Sequence, residues 1–106
     1  MIIEQVRYFV QDEDRIDEAA EIRREIDNVR MSLGLPAGHI LVADPPPDDA
    51  PALVWQCGYE NESMLAVAEA TIAGSTDYAA GRDRLSALVS RTEIELYTAD
   101  EVAAKA

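Results

Sequence analysis

Cysteine is almost missing from this chain. Cys57 stands alone, which excludes an internal disulfide and any thiolate metal cluster and agrees with a reducing compartment. Histidine is as scarce, with His39 the only one, and neither a His-x-x-x-His nor a Glu-x-x-His spacing occurs, so no metal site is expected. Positive charge is thin: nine Lys and Arg are scattered among 21 Asp and Glu, for a formal net charge of −12. Phosphate backbones and anionic bilayers both require clustered cations, so neither nucleic acid nor membrane is expected as a partner. No apolar run approaches the roughly 20 residues that span a bilayer. The opening MIIEQVRYFV is too short and too charged for a signal peptide. A soluble, cytoplasmic chain is the expectation. Glycine-rich phosphate loops, Gly-x-Ser-x-Gly and Ser-His-Asp sets are also lacking, so nucleotide binding and esterase chemistry fall away.

What is present is an ordinary globular composition, 48% hydrophobic and 28% charged over 106 residues. That length fits one domain, 1–106, with a useful core, although domains this small often gain from association. Ile2 to Val10 alternates, with Ile2, Val6, Tyr8 and Val10 on one face, interrupted by Glu4, and Ile3, Gln5, Arg7 and Phe9 on the other. Apolar residues on both faces predict a central strand. The acidic run Gln11 to Asp14 predicts a helix start with Asp12 or Asp14 as N-cap. Ala19, Ile22, Ile26, Val29 and Leu33 then recur at spacings of three and four, predicting an amphipathic helix that ends at Gly34, with Pro36 preventing continuation.

Gly38 to Ala43 predicts a second strand, and the loop 44–51, DPPPDDAP, a stiff acidic connection. That loop could be a polyproline recognition segment or a plain surface connection. Ala52 to Tyr59 predicts a third strand, with Leu53, Trp55, Cys57 and Tyr59 facing one way and Val54, Gln56 and Gly58 the other. Asn61 caps a helix from Glu62 through Ile72, with Met64, Leu65, Val67, Ala68 and Ile72 as its apolar side. Gly74 to Thr76 breaks it, and a second helical piece runs Asp77 to Ser90 with Tyr78, Leu85, Leu88 and Val89 inward. Thr92 to Thr98 predicts a fourth strand, Ile94 and Leu96 opposite Glu93, Glu95 and Tyr97. The tail 99–106 is expected as a short or frayed helical end.

The order strand, helix, strand, strand, helix, strand predicts an α+β fold, a ferredoxin-like βαββαβ domain with one antiparallel sheet and both helices on one face. Its open face would carry Ile3, Phe9, Val54 and Leu41, too apolar a set for a monomer, so a homodimer with two sheets face to face is expected. QVRYFV with its acidic turn, the VWQCGYENES strand-to-helix junction, the broken second helix with DY near its restart, and the closing EIELYT resemble the dimeric α/β-barrel superfamily. Within it they look most like NIPSNAP-type domains. That superfamily includes quinone-forming and haem-degrading monooxygenases, muconolactone isomerases, polyketide cyclases and many domains without known activity. The resemblance therefore implies fold and dimerisation and leaves the reaction open.

Overlaying the strands groups Gln5, Arg7, Phe9, Val54 and Gln56 as a candidate substrate-binding set, with Glu93, Glu95 and Tyr97 beside them. Such a set could bind an oxygenated aromatic or polyketide-like ligand, with Tyr97 or Glu95 exchanging the proton. The plainer reading is an Arg7 to Glu95 cross-strand ion pair that fixes register or the dimer interface. His39 is a candidate general base or axial haem ligand, or simply an exposed residue at a strand entrance. Cys57, Trp55 and Tyr59 read as helix-facing core, with nothing basic beside Cys57 in sequence to activate it. Two functions are thus expected as alternatives: a small cofactor-independent monooxygenase or cyclase/isomerase, or a non-catalytic dimeric ligand-binding or assembly domain.

Overall fold

The computed structural model describes residues 1–99. Strand β1, Ile2–Val10, takes the central position that its two-faced apolar pattern implies, flanked by β3, Leu53–Tyr59, and β4, Val89–Thr98. The short strand β2, His39–Val42, adds to the far side of β3, giving the order β2-β3-β1-β4 with every neighbouring pair antiparallel. This is the expected α+β, ferredoxin-like arrangement. Among the described residues, no helix is long and apolar enough to cross a membrane.

Asp12 does cap the first helical turn, but that turn is a tight 3-10 segment, Glu13–Arg15, and Asp12 accepts from the Asp14 N–H at 2.9 Å. Helix α1, Ile16–Ser32, follows directly. It ends in a left-handed Gly34 with φ of +78°; the Gly34 N–H reaches Met31 O at 3.0 Å and the Leu35 N–H reaches Arg30 O at 2.9 Å. These two bonds close a Schellman stop, which glycine permits because it has no Cβ to clash there. Helix α2, Glu62–Ala73, starts from Asn61, whose side chain accepts from the Met64 N–H at 3.0 Å, and α3, Thr76–Ser86, restarts from Ser75. A side-chain acceptor at each start satisfies one of the amide donors that a helix N-terminus otherwise leaves unpaired.

The core lies on the side of the sheet that Leu53, Trp55, Cys57 and Tyr59 face. One cluster packs Leu53 against Ile16, Ala19, Ile22 and Ile26 of α1 and Leu85 of α3. A second packs Trp55, Cys57 and Tyr59 with Val6, Leu65 and Ala68. Among the described residues no helix covers the opposite face, as expected for this topology.

The end of α3, the start of β4 and the burial of three apolar helix residues need correction. The last helix stops at Ser86 rather than Ser90, and β4 begins at Val89 rather than Thr92. Leu85, Leu88 and Val89 fit helical spacing, but β1 extends to Val10 and recruits Val89 as its register partner, while the Gln11 N–H bonds Leu88 O at 3.0 Å. Tertiary strand pairing overrides the local period. Met64 and Val67 of α2, expected on the apolar side, are exposed, as is Leu33. The predicted helical tail falls outside the described residues except for Ala99, whose N–H donates to Met1 O at 2.8 Å.

Candidate functional site

The register places every sheet-face candidate on the same side. Across one row lie His39, Gln56, Gln5 and Glu95; across the next, Leu41, Val54, Arg7 and Glu93. Tyr97 stands opposite Ile3, and Arg91 opposite Phe9. These side chains engage one another. Arg7 Nη1 donates to Glu93 Oε1 at 3.1 Å and lies 3.7 Å from Glu95 Oε1, so the closer carboxylate is Glu93 rather than the expected Glu95. Gln56 Nε2 donates to Gln5 Oε1 at 2.7 Å, satisfying the glutamine without Arg7. Tyr97 donates to the Glu95 carboxylate, which pushes its phenol above the usual value. Arg91 covers the Phe9 ring with its guanidinium 3.8 Å from the centroid. His39 is exposed at the entrance of β2. Half-exposed ion pairs of this kind contribute about 0.2–1 kcal/mol each, so the network is easily rearranged when another surface covers it.

A different polar group sits on the helix side, and it was not expected. Arg23, Asp27 and Arg30 of α1 are all buried, Arg23 and Arg30 to 2% and 1% exposure. Their spacing of four and three puts them on one face, over Trp55. Arg23 and Arg30 stack their guanidinium carbons 4.2 and 4.9 Å from the indole centroid. Asp27 Oδ1 accepts from Trp55 Nε1 at 2.9 Å and from Arg23 Nη2 at 3.3 Å. Arg30 donates to Pro36 O at 3.0 Å and to the Tyr59 hydroxyl at 2.9 Å. Tyr59 in turn donates to Glu4 Oε1 at 3.2 Å. Arg30 Nη2 also lies 3.7 Å from Cys57 Sγ, so a cation does border the thiol, brought from 27 residues away. Burying two guanidiniums is tolerable because cation–π contacts, a carboxylate and several acceptors replace their hydration.

This cluster borders a cavity of about 320 Å³ between the sheet and the helices. Val6, Trp55, Ile72 and Leu85 form its apolar wall; Glu4, Tyr8, Arg23 and Tyr78 supply its polar groups. Arg82, Ser86, Thr92 and Ile94 lie at its exposed rim. Arg23 Nε is buried and finds no hydrogen-bond acceptor among the described residues. A second cavity of about 330 Å³, beside Leu35, Pro36 and Tyr59, is mainly apolar. Convergent polar groups on an apolar wall distinguish the first as the candidate site. Among the described residues no group of three or more His, Cys, Asp or Glu is placed to hold a metal ion.

Burial raises the Tyr8 phenol above its ordinary value of 10.0; Arg23 opposes the shift, while Tyr78, Glu4 and Asp27 add to it. Burial likewise raises Tyr59, against the pull of Arg30. Both phenols are therefore proton donors at neutral pH. A folded-state pKa above the unfolded one means that folding holds the proton longer, so stability is unaffected below the unfolded value and falls as pH rises past it. Urea unfolding compared at about pH 9 and about pH 11 should show a clear loss at the higher pH, and equal stabilities would contradict the burial of these phenols.

No family model matches the sequence, and no curated protein matches it. Solved structures do. A NIPSNAP domain protein from Burkholderia xenovorans superposes with a TM-score of 0.75 at 14% identity, covering 96% of this chain and 97% of the other. An antibiotic biosynthesis monooxygenase gives 0.67 at 14% identity over 94% and 99%. A dimeric protein of unknown function and ferredoxin-like fold from Bacteroides fragilis gives 0.63 at 9% identity over 92% and 95%. The fold is therefore one shared with NIPSNAP-domain and antibiotic biosynthesis monooxygenase proteins, as the resemblance in the sequence implies.

Proposed function

We propose that two copies of this chain pair through their open sheet faces, and that each keeps its own site in the cavity between sheet and helices. There it binds a small oxygenated aromatic or polyketide-type molecule and moves a proton on it. The cavity with its convergent Glu4, Tyr8, Arg23 and Tyr78 is the observation that carries this reading. Dimerisation is supported by the apolar open-face residues and by a structural neighbour that is described as dimeric. In this assembly the sheet-face set of Gln5, Arg7, Phe9, Val54, Gln56, Glu95 and Tyr97 serves the contact between copies, with His39 at its edge.

Glu4 is the base. Its carboxylate is held by Tyr59, which is itself fixed by Arg30, so it is aimed, and among the described residues it has no direct cation partner. The proton of an acidic C–H or phenolic O–H passes to Glu4, and the electron pair stays on the substrate oxygen as an enolate or phenolate. Tyr8, still protonated, can donate to that oxygen. Return of the proton at another carbon is isomerisation, and attack of the carbanion on a carbonyl of the same molecule is cyclisation. For a phenolate with a free ring C–H, one electron passing to molecular oxygen and recombination at that carbon would give a hydroperoxide that takes its proton from Glu4 and loses water to leave a quinone, the monooxygenase route that one structural neighbour's name suggests. No resident cofactor enters any of these steps.

The test follows a soluble 1,3-diketone in deuterated buffer. Trp55, the only tryptophan, lines the cavity and reports binding by fluorescence, while mass spectrometry reads exchange of the acidic C–H. We expect both signals in the native chain, with Glu4→Gln retaining binding and losing about 100-fold or more in exchange rate, the scale of a general base. Binding without exchange would make the domain a carrier rather than an enzyme. No binding by any member of an oxygenated aromatic and diketone panel would overturn the site.

A further inference from the structure

We infer that the cavity is built for an anion, a carboxylate or an equivalent oxyanion on a flat apolar body, whose oxygen accepts the Nε–H of Arg23. This rests on the cavity being a ligand site and adds the chemical class of what enters it. Three observations converge. First, Arg23 is buried, yet its guanidinium is only partly satisfied: Nη2 bonds Asp27, one face covers Trp55, and Nε has no acceptor among the described residues. A buried donor on a charged group is costly to leave unmade, and an incoming oxygen removes that cost.

Second, the charges around the cavity do not cancel. Among the described residues that line it, two guanidiniums, Arg23 and Arg82, stand against one carboxylate, Glu4, and Tyr8 is held neutral; Asp27, on Arg23 Nη2, lies outside the lining. In a chain with a net charge of −12, a local surplus of positive charge is the opposite of what composition alone would distribute. One bound anion balances it. Third, Arg82 lies at the rim, exposed and with its guanidinium 5.9 Å from the Tyr78 ring, where it can meet an anion on entry. The apolar wall of Val6, Ile72 and Leu85 then takes the rest of the molecule.

Calorimetric titration with 3-phenylpropanoate and its neutral amide, 3-phenylpropanamide, separates this from simple apolar binding. The two probes share body and size. Near-physiological salt is used so that the chain's overall negative field is largely screened. We expect the carboxylate to bind at least about tenfold more tightly, the scale of one hydrogen bond to a charged group. Arg23→Met should erase that preference and Arg82→Met should reduce it. Because Arg23→Met can also perturb the fold, the Arg23 Nε–H resonance of the unmodified protein is followed by NMR: it should shift with the carboxylate and stay put with the amide. Equal affinity for both probes, or a preference that survives in a folded Arg23→Met chain, overturns the anion assignment while leaving the cavity a ligand site. Failure of both probes to bind, together with the failed panel above, removes the site itself.

Discussion

Asp27→Ala is expected to lower the unfolding free energy by about 3–5 kcal/mol, the scale for breaking a buried ion pair from one side. Asp27 holds two donors at once, the Trp55 indole N–H and Arg23 Nη2. Removing its carboxylate leaves a buried guanidinium with no counterion and a buried indole N–H with no acceptor. Glu21→Ala is the natural control. Glu21 pairs with Arg24 on the same helix at 2.8 Å, but both side chains are more than half exposed, so its loss should cost less than about 1 kcal/mol. Urea denaturation of both variants at one protein concentration makes the comparison, the fixed concentration being needed because association shifts apparent stability. Similar losses for the two would show that the Arg23–Asp27–Trp55 cluster does not hold α1 to the sheet.

Gly38→Ala should be nearly as damaging, by about 3 kcal/mol or more. A Cβ at Gly38 would collide with the Trp55 indole and would lie 2.6 Å from Gln56 O. Overpacking costs about 1–3 kcal/mol, and here the usual relief, a swing of the ring, is blocked because the indole N–H is tied to Asp27. Moving the ring breaks that charged hydrogen bond, at about a further 1.5–3 kcal/mol. Gly74→Ala provides the contrast, since a Cβ there approaches nothing nearer than Thr71 O at 3.8 Å. Thermal denaturation read by Trp55 fluorescence should show a much lower midpoint and an altered native spectrum for Gly38→Ala, and little change for Gly74→Ala. A near-native Gly38→Ala chain would mean that the start of β2 can move away from Trp55 freely.

The sheet was legible because a period of two is unambiguous when both neighbours are strands. The bounds of β1, the facing of Leu53, Trp55, Cys57 and Tyr59, and the grouping of Arg7, Gln56, Glu95 and Tyr97 all follow from that period. The helix-side cluster was hidden by the assumption that charge marks the solvent side of a helix. Ile16, Ala20, Arg23, Asp27 and Arg30 recur at spacings of four, three, four and three, an unbroken buried stripe in which the last three positions are charged. The period was readable, and the residue types disguised it. One cue was available: a lone tryptophan and a tyrosine on the facing strand bring polar tips into the core, and those tips need partners. The end of α3 was illegible for another reason, since what converts Val89 to strand is the reach of β1, whose Val10 lies 79 residues earlier.

Arg23 Nε, without an acceptor among the described residues, also bears on how folding and binding are linked. Replacing a buried ion pair by apolar residues of similar volume is often neutral or even favourable to folding, so the Arg23–Asp27 pair beside Trp55 is not required for stability alone. The chain keeps it. Whatever fits the cavity would act as part of the core: at one hundred times its dissociation constant it would add about 2.7 kcal/mol to folding. Abundance of the folded protein in a cell would then track the supply of its own ligand.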